Sequence, residues 1–453
     1  MECPPRPPIE EDVLSAIRPT GFQLRALDRV YGLVRSALDG ALSSRGLSYV
    51  IEAEGSYAKG TLLRDRWEMD VFVLFRDVDE GWLMSRSLDL IEGALSGLPA
   101  VRKYSEHPYL TVSLMGIEVD VVPAIYSESP RLSLGVGRTP FHTRYVRSRL
   151  TGCQSDDVRL LKSFLKGIGA YGAEVQVGGF SGYMAELMVI SYGSFRAALE
   201  AMSSWRPPVY VDPEGRGSRR ELEARYPDSP LIFVDPVDPG RNAAAAVTYE
   251  KLSLAVIAAK LYLQAPSRSF FHAFSGSVEL KVRPPLVLAV CRGDYFQQPP
   301  EAVWGKAARL SRELRNELEG AGFTPLRASY FTDEGALVAI GVALASGRLT
   351  GLEVLDGPDA WADVENVRAF VRRRLEEGGL WVGERLYGFR PWRRPEALSL
   401  VEAWLSRRGS ELGRSCEAFL VEGDGGMPGR LPKPVRDWAW REFYAIPSWL
   451  VGL

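Results

Sequence analysis

The amino-acid sequence predicts a multidomain α+β protein, and two observations support this prediction. The chain has 453 residues, too many for one hydrophobic core, which indicates about three domains. Helical and strand patterns alternate in its first part, the middle third is mainly helical, and short β-rich runs separated by helices follow from about Val278. We therefore expect domains at residues 1–148, 149–275 and 276–453, the last an α+β region with an inserted subdomain.

The first domain is expected to combine helices with a small sheet. Apolar residues recur three and four positions apart in its helical segments, and its strands are runs of β-branched and aromatic residues. Pro123 cannot donate a backbone hydrogen bond and is expected to end the last of these strands. The predicted elements are a helical region at 10–46, strands at 49–54 and 69–75, a helix at 79–98, and a hairpin of strands at 109–114 and 117–122.

The central domain is predicted to be mainly helical. Its first helix starts at the acidic pair Asp156 and Asp157, and its spacing turns Leu161 and Leu165 inward and Lys162 outward. The further elements are helices at 181–199 and 251–263, a strand at 231–235, and in the last domain strands at 278–282, 285–290 and 336–343 with a helix at 302–319.

Composition argues against several kinds of site and location. Four cysteines lie far apart without a Cys-x-x-Cys pair, and the chain has only three histidines. This pattern argues against a zinc site and against a disulfide framework, and it favours a reducing cytoplasm. The N-terminus lacks the pattern of a secretory signal, and the most apolar run, at 336–345, is too short to span a membrane. We expect a cytoplasmic protein without a membrane partner.

The distribution of charge is more informative than its sum, which is a formal net charge of -2. The basic residues are mostly arginines, whose planar guanidinium group suits phosphate, and they occur in local clusters. A polyanion can bind such faces while acidic residues elsewhere balance the total. The clusters are Arg138, Arg144, Arg147 and Arg149, then residues 372–374, and then residues 390–394 around Trp392.

Residues 55–75 carry the strongest chemical signal. Gly55 and Ser56 form a small-residue turn before a short helix, where backbone N–H groups and a hydroxyl can bind a phosphate. Glu68 and Asp70 then stand one residue apart at the head of an apolar strand. Their side chains therefore share a face, about 6.6 Å apart along the backbone. Carboxylates at this spacing are typical ligands for a pair of divalent cations.

A third carboxylate is expected beside these two. The predicted strand at 117–122 turns its apolar residues to one face and Glu118 and Asp120 to the other. Glu68 and Asp70 could simply be strand-end acids in solvent, but the apolar run after them is typical of a buried central strand, where unpaired charge is costly. We therefore predict phosphoryl transfer in which Glu68, Asp70 and Asp120 hold two Mg²⁺ ions.

The combination of Gly55-Ser56, Glu68-x-Asp70 and a later strand Asp120 resembles the nucleotidyltransferase superfamily related to DNA polymerase β. Longer strings resemble one branch of it, the archaeal (class I) CCA-adding tRNA nucleotidyltransferases, and this resemblance covers nearly the whole chain. The strings are RTPFH at 138–142, VRLLKSFLKG at 158–167, YGAE at 171–174, GFSGY at 179–183, VDPVDPGRN at 234–242, GPD at 357–359 and EGGLW at 377–381.

The resemblance implies a fold and an activity. The fold would be an N-terminal polymerase β-like nucleotidyltransferase domain, a mainly helical central domain that completes the nucleotide pocket, and a C-terminal α+β tRNA-binding region with an inserted tail subdomain. Members of the family add C, C and A stepwise to the tRNA 3′ end from CTP and ATP, without a nucleic-acid template. Their C-terminal domains hold the acceptor stem and TΨC arm, mainly through shape and backbone contacts.

The resemblance also implies roles for individual residues. Glu68, Asp70 and Asp120 would be the metal carboxylates, and Asp120 would also activate the tRNA 3′-hydroxyl. Arg241 would face the edge of the base. The family usually has Arg where this chain has Lys59, so a bidentate phosphate contact would become a point-charge contact. The residues implied to contact the triphosphate or the nucleotide sugar are Ser56, Lys59, Thr139, His142, Lys162 and Tyr171.

Two alternatives to CCA addition stay open on the sequence. One is a poly(A) polymerase or a tRNA transferase that adds only CC or only A, because protein and RNA together shape the base pocket. The other is a non-catalytic RNA-binding protein, which the presence of all three carboxylates disfavours. The oligomeric state is also open, and a homodimer is one of its alternatives.

Overall fold

The computed structural model describes residues 5–104, 108–129, 135–272, 278–296, 298–359, 361–392, 396–422 and 426–451. The chain forms two compact units, Met1–Gly276 with Pro447–Leu453 and Ser277–Ile446. Each unit contains helices and strands, so the predicted multidomain α+β fold class is confirmed. Within the described ranges, no helix is both long enough and apolar enough to cross a membrane.

The first unit begins with a sheet whose described part has five strands. These are β1 (Tyr49–Glu54), β2 (Glu68–Phe75), β3 (Ala100–Tyr104), β4 (Pro108–Leu114) and β5 (Ile117–Ile125). Their order is β1-β2-β5-β4-β3. β2 and β5 are parallel and the other neighbours are antiparallel. This topology places β2, with its two predicted metal ligands, directly beside β5, which carries the third.

Helices cover one face of this sheet. They include α2 (Gly21–Ser43), α4 (Glu80–Trp82) and α5 (Leu88–Ala94), whereas α1 (Pro8–Ile17) contributes Val13 and Leu14 to a second core in the helical part of the unit, and α3 (Gly55–Ala58) follows β1 beside Asp70. The Thr20 side chain accepts a hydrogen bond from the backbone of Gln23 and so caps α2. α2 buries Leu27, Val34 and Leu38 in one core with the sheet. The helix predicted at 79–98 is interrupted, because a π-helical turn at Leu83–Ser87 separates α4 from α5.

Pro123 does not end β5, and that prediction is wrong. β5 continues to Ile125, and Pro123 pairs in register with Val73 of β2. On the other side, the pairing of β5 with β4 has already ended at Val121. A residue without a backbone N–H is tolerated there because only one neighbouring strand remains to be paired.

The remainder of the first unit is mainly helical. It comprises helices α6 (Thr139–Arg149), α7 (Gly152–Gly167), α8 (Gly182–Tyr192), α9 (Phe195–Ser203), α10 (Arg219–Arg225) and α11 (Tyr249–Gln264), with the strand pair β6 (Val209–Val211) and β7 (Leu231–Phe233). Its core contains a cluster of aromatic rings in which Phe164, Phe195 and Tyr262 lie within 6.0 Å of one another, centroid to centroid. A capping box between Thr151 and Gln154 fixes the start of α7, and the Ser181 side chain caps α8.

The described strands of the second unit are β8 (Val278–Glu279), β9 (Leu286–Arg292), β10 (Pro325–Thr332), β11 (Leu337–Leu344), β12 (Leu352–Asp359), β13 (Gly379–Val382), β14 (Arg385–Pro391), β15 (Ser415–Val421) and β16 (Ala445–Ile446). The main sheet has the order β10-β11-β9-β15, and a smaller sheet of order β12-β14-β13 is inserted between β11 and β15 in the chain. Its helices are α12 (Pro300–Gly320), α13 (Val364–Glu377), α14 (Ala397–Leu412) and α15 (Lys433–Phe443).

The cysteines correct one sequence-based expectation. Cys291 of β9 and Cys416 of β15 are register partners and form a disulfide, although 125 residues separate them in the chain. No cysteine in the described residues is free. The expectation of no disulfide was wrong because wide sequence spacing says nothing about which strands become neighbours. Disulfides also occur inside the cells of hyperthermophiles, so the bond does not by itself indicate a secreted protein.

Candidate active site

Acidic side chains collect on one face of the first sheet. Residues that pair directly across neighbouring strands point to the same face. β1 and β2 pair Glu54 with Asp70, and β2 and β5 pair Asp70 with Asp120. The opposite face of the same strands carries Val71 and Val119 into the apolar core beneath α2. The three acids therefore form one row on the face that points away from this core.

Asp70 is the central acid of the row. A Cβ atom on Gly55 would lie 1.9 Å from Asp70 Oδ2, and Gly55 has a φ of +66°. Only glycine accommodates both conditions. Burial raises the pKa of Asp70 to about 6, the charges of Asp120 and Glu68 add to this rise, and Lys59 opposes it. The site thus holds negative charge that its own side chains do not balance, and a cation would offset it.

The other two predicted metal carboxylates stand in different surroundings. Asp120 Oδ1 accepts a hydrogen bond of 2.5 Å from Thr111 Oγ1 on the neighbouring strand β4. Glu68 is exposed and pairs with Arg66, with 3.2 Å between Arg66 Nη1 and Glu68 Oε2. The sheet therefore brings Asp70 and Asp120 together, while Glu68 forms an ion pair with Arg66, two residues before it in the chain. Among the residues that the structure describes, no group of three or more His, Cys, Asp or Glu side chains is arranged to hold a metal ion as it stands.

Glu54 is an acid of this row that was not predicted. It is 2% exposed, and its Oε2 atom has no hydrogen-bond partner. Burial raises the pKa of Glu54 to about 7, and the nearby Thr143 hydroxyl only partly opposes this rise. A carboxyl group with this pKa is protonated for part of the time at neutral pH, which reduces the negative charge beside Asp70.

Two of the predicted triphosphate ligands, Lys59 and Lys162, meet at one carboxylate. Lys59 Nζ lies 3.0 Å from Glu186 Oε2, and Lys162 Nζ lies 2.9 Å from Glu186 Oε1. Lys162 is 2% exposed, so the prediction that it points outward is wrong. The polar side of α7 is covered by the segment after α3, where Thr61 Oγ1 accepts a hydrogen bond of 3.0 Å from Lys162. Helical spacing identifies a polar side but cannot tell whether another segment packs on it.

Asp235 joins two further predicted nucleotide ligands. Its Oδ2 atom lies 3.1 Å from His142 Nε2 and 2.9 Å from Arg241 Nη1. Its Oδ1 atom accepts a hydrogen bond of 3.0 Å from the hydroxyl of Tyr183, whose ring stacks on His142 at 4.1 Å. Burial opposes the charge of Asp235, but the hydrogen bond and charge of His142 and the charge of Arg241 lower its pKa to about 2. Burial lowers the pKa of His142, against the influence of Asp235.

The remaining predicted ligands lie at element boundaries. Ser56 is in α3, directly after Gly55, and Thr139 is the first residue of α6, which neighbours α3. Tyr171 follows α7, and its hydroxyl would lie 2.9 Å from a Cβ atom on Gly182 at the start of α8. Burial, followed by the charge of Glu186, raises the pKa of Tyr171 to about 12. Tyr171 therefore adjoins the group formed by Lys59, Lys162 and Glu186.

Several members of the arginine clusters are held in ion pairs within their own units. Arg374, which lies in the cluster at 372–374, is 6% exposed. Arg393 and Arg394 lie outside the described residues. The clusters therefore offer a polyanion less charge than their sequence suggests. The pairs are Arg138–Asp238, Arg144–Glu52, Arg149–Glu214, Arg374–Glu377 and Arg390–Glu353.

Glu186 and Asp235 are absent from the residues predicted to form the site, yet each connects two of them. Both lie within or beside strings that carry the family resemblance, at 179–183 and 234–242. A second signal for Glu186 was available, because this single acid interrupts the apolar run from Met184 to Val189. A charge in such a run requires a buried partner, which here is a pair of lysines.

Comparison with known proteins agrees with this geometry. Residues 36–146 match the model of a nucleotidyltransferase domain, and residues 156–272 match the model of the second domain of tRNA nucleotidyltransferase. The chain is 46% identical over 389 residues to the CCA-adding enzyme of Aeropyrum pernix, with 84% of this chain and 83% of the relative covered. It is 37% identical over 386 residues to the CCA-adding enzyme of Saccharolobus shibatae, with 84% and 88% covered.

Among solved structures, the Cid1 poly(U) polymerase with Mg 3′-dATP bound is similar with a TM-score of 0.46 and 16% identity, over 58% of this chain and 98% of that one. The sequence relatives are far closer than this structure, and they share most of their length with the chain. Together with the two matched domain models, the similarity to these sequence relatives assigns the chain to the archaeal CCA-adding enzymes, a family of tRNA nucleotidyltransferases.

Proposed function

We propose that this chain adds C, C and A to the 3′ end of tRNA, using CTP and ATP and releasing pyrophosphate, without a nucleic-acid template. The observation that carries the proposal is the register pairing of Asp70 with Asp120 on parallel strands, in a chain whose relatives are CCA-adding enzymes. A nucleotidyl transfer needs paired carboxylates beside a triphosphate site, and the buried lysine pair supplies cations in the same unit.

Divalent metal ions are general in nucleotidyltransferases, and we propose two Mg²⁺ ions for this site. The donor set fits, because Asp70 and Asp120 offer oxygen ligands on one face and the pKa of Asp70 is raised by burial and by neighbouring negative charge. Asp70 and Asp120 would hold the metal, with Glu68 joining them once it releases Arg66. Bound there, the metal would neutralise phosphate charge and make the attacking hydroxyl more acidic.

Individual side chains would then carry out proton transfer and bind the triphosphate. Asp120, oriented by Thr111, would accept the proton of the tRNA 3′-hydroxyl as the hydroxyl oxygen attacks the α-phosphorus and pyrophosphate leaves. Ser56, Lys59, Lys162 and Tyr171 would bind the triphosphate.

Contacts to the sugar and the base would come from the group around Asp235. His142 and Thr139 would approach the sugar, and Arg241 would present hydrogen-bond donors to the edge of C or A. Asp235 holds the guanidinium group of Arg241 and the ring of His142 on one carboxylate, which supports a joint role in the pocket.

The partners and location follow from the same proposal. The acceptor stem and TΨC arm of tRNA would be bound by the second unit, through phosphate and 2′-hydroxyl contacts. A homodimer and a cytoplasmic location remain predictions.

The test is single-nucleotide incorporation into three tRNA substrates, which lack one, two or all three nucleotides of the CCA end. The purified chain should use only CTP on the two shorter tRNAs and only ATP on the tRNA that ends in CC. Homopolymeric tails from ATP alone would indicate a poly(A) polymerase, and use of only one nucleotide would indicate a CC-only or A-only transferase. tRNA binding without any incorporation would indicate a non-catalytic RNA-binding protein.

A further inference from the structure

We propose that Glu186 is a positioning residue of the nucleotide site: its carboxylate holds the ammonium groups of Lys59 and Lys162 in place for the triphosphate. This inference rests on the proposed function, since it assigns to a third residue the arrangement of two expected phosphate ligands. Glu186 itself lies beneath them and is 1% exposed, so it acts through the lysines.

The geometry joins three segments of the first unit at one carboxyl group. Glu186 belongs to α8, Lys162 to α7, and Lys59 to the end of α3. Each oxygen of Glu186 has one lysine partner, at 3.0 Å for Lys59 and 2.9 Å for Lys162. Thr61 Oγ1 donates a further hydrogen bond of 2.6 Å to Oε1. Since α3 directly follows the turn at Gly55, the carboxylate ties the phosphate turn to the helical part of the unit.

The charges explain why an acid is needed at this position. The side chains of Lys59 and Lys162 are 7% and 3% exposed, and two buried ammonium groups on the same site repel each other. One carboxylate between them offsets one of the two positive charges and leaves one net positive charge. The lysine and glutamate side chains are neighboured by Thr61, by Tyr171 and by the ring of Tyr183, which lies 5.3 Å from Lys59 Nζ. Lys59 also interacts electrostatically with Asp70, Glu54 and His142, but among the described residues Glu186 is the acid that pairs with both lysines.

Stability alone gives a poor reason for this arrangement. A buried group of ion-paired side chains is often no more stabilising than apolar residues of the same volume. The pair of lysines becomes useful when a polyanion approaches, because the ammonium groups are then already placed and charged. Preorganised cations bind a triphosphate without first giving up solvent or rotamer freedom.

The test is the pH dependence of CTP affinity, measured by equilibrium dialysis with the full chain and Mg²⁺ and without tRNA, so that no transfer occurs. Glu186→Gln keeps the shape of the side chain and removes its charge. A buried ammonium group without a carboxylate loses its proton more readily. We expect the affinity of the variant for CTP to be several-fold weaker at pH 7, and to decline with rising pH at a lower pH than the affinity of the unmodified chain.

Glu10→Gln is the matched control. Glu10 is also a buried acid of the first unit, at 2% exposure, and it pairs with Arg196 at 2.9 Å in a contact that includes none of the predicted site residues. Loss of its charge should leave the pH profile of CTP binding unchanged. A second comparison sets Lys162→Met against the double variant Lys162→Met/Glu186→Gln. It repeats the test with one buried ammonium group fewer, and it replaces the first comparison if Glu186→Gln alone does not fold.

The outcomes separate the two proposals. A decline at lower pH in the Glu186→Gln variants, but not in Glu10→Gln, supports the positioning role. Parallel pH profiles, with CTP binding intact in the unmodified chain, would overturn the role of Glu186 and leave the proposed function standing. Failure of the unmodified chain to bind CTP at any pH would instead overturn the proposed function, and the inference with it.

Discussion

Asp70 is a residue whose surroundings oppose its charge. The pKa of this carboxyl rises to about 6, first because of burial and then because of Asp120 and Glu68. Its neighbour in the row, Glu54, has a pKa raised to about 7, mainly by burial. A fold that keeps such acids together gives up stability at neutral pH, which is typical of sites that bind cations.

We predict that Asp70→Asn abolishes nucleotide incorporation and stabilises the metal-free protein. Between the ordinary pKa of 3.8 and about 6, the folded state keeps a proton that the unfolded state has released, so stability falls as pH rises through this window. The variant should therefore be more stable by about 1–2 kcal/mol at pH 8 and lose this advantage below about pH 4. Thermal unfolding in EDTA across this pH range measures the effect. An equal difference at all pH values would contradict the assigned charge environment.

Asp235 connects two predicted nucleotide ligands, because His142 and Arg241 share its Oδ2 atom. We predict that Asp235→Asn lowers kcat/KM for CTP and for ATP by about tenfold, since loss of one charged acceptor leaves the donors of His142 and Arg241 poorly paired, at a cost of about 1–3 kcal/mol.

The joint role of this group can be checked with a double variant. Arg241→Lys combined with Asp235→Asn should lose little more activity than the worse single variant, because both changes break the same contact. Steady-state kinetics on tRNA substrates with each nucleotide measure this. Additive losses would show that Asp235 and Arg241 act independently.

At the scale of elements, the short turn from β1 into α3 shapes the site. Gly55 is the tightest point, since a Cβ atom there would lie 1.9 Å from Asp70 Oδ2. We predict that Gly55→Ala lowers activity by at least about 100-fold, because Asp70 has to move and even a 1 Å displacement of a catalytic group is costly.

Gly46 offers a matched control for this substitution. It has the same φ of +66°, and a Cβ atom there would have nothing within 4 Å. Gly46→Ala should therefore lower the free energy of unfolding by about 1–2 kcal/mol and leave activity intact. Incorporation assays and thermal unfolding of both variants make the comparison. Equal activity of the two variants would show that the close approach to Asp70 has no role.

Individual elements also show which parts of the structure the sequence could predict. The strands on both sides of the site were predictable, because their alternation and apolar runs are local properties, and the shared face of Asp70 and Asp120 followed from them. The burial of Lys162 and the continuation of β5 past Pro123 were not predictable. Both depend on which segment packs against an element, and that information is not local in the chain.

The whole molecule shows the same limit at longer range. Cys291 and Cys416 become partners only because β9 and β15 are neighbours in the second unit. The contacts of Glu186 and Asp235 with predicted site residues became visible only when α7, α8 and the segment after β7 were placed together. The family resemblance located the strings that contain these contacts, but the contacts themselves required the fold.

Recognition of tRNA is also a property of the whole molecule. The net charge is only -2, and Arg374 and Arg390 of the second unit are ion-paired, so a tRNA that binds them would compete with their acidic partners. We predict that tRNA affinity falls at least ~100-fold between 50 and 200 mM salt, since contacts to phosphates release counterions. Filter binding at several salt concentrations measures this slope. Asp70→Asn should give the same slope, and a flat response would exclude recognition dominated by the backbone.

We propose that one active site in this chain builds the complete CCA end. The most direct measurement is to sequence the 3′ ends made by the purified chain from a tRNA that lacks all three nucleotides, with CTP, ATP and Mg²⁺ present together. We predict products that end in CCA and no extension by Asp70→Asn or Asp120→Asn. Products that end in CC, in a single A or in an A tail, or full extension by either variant, would contradict it.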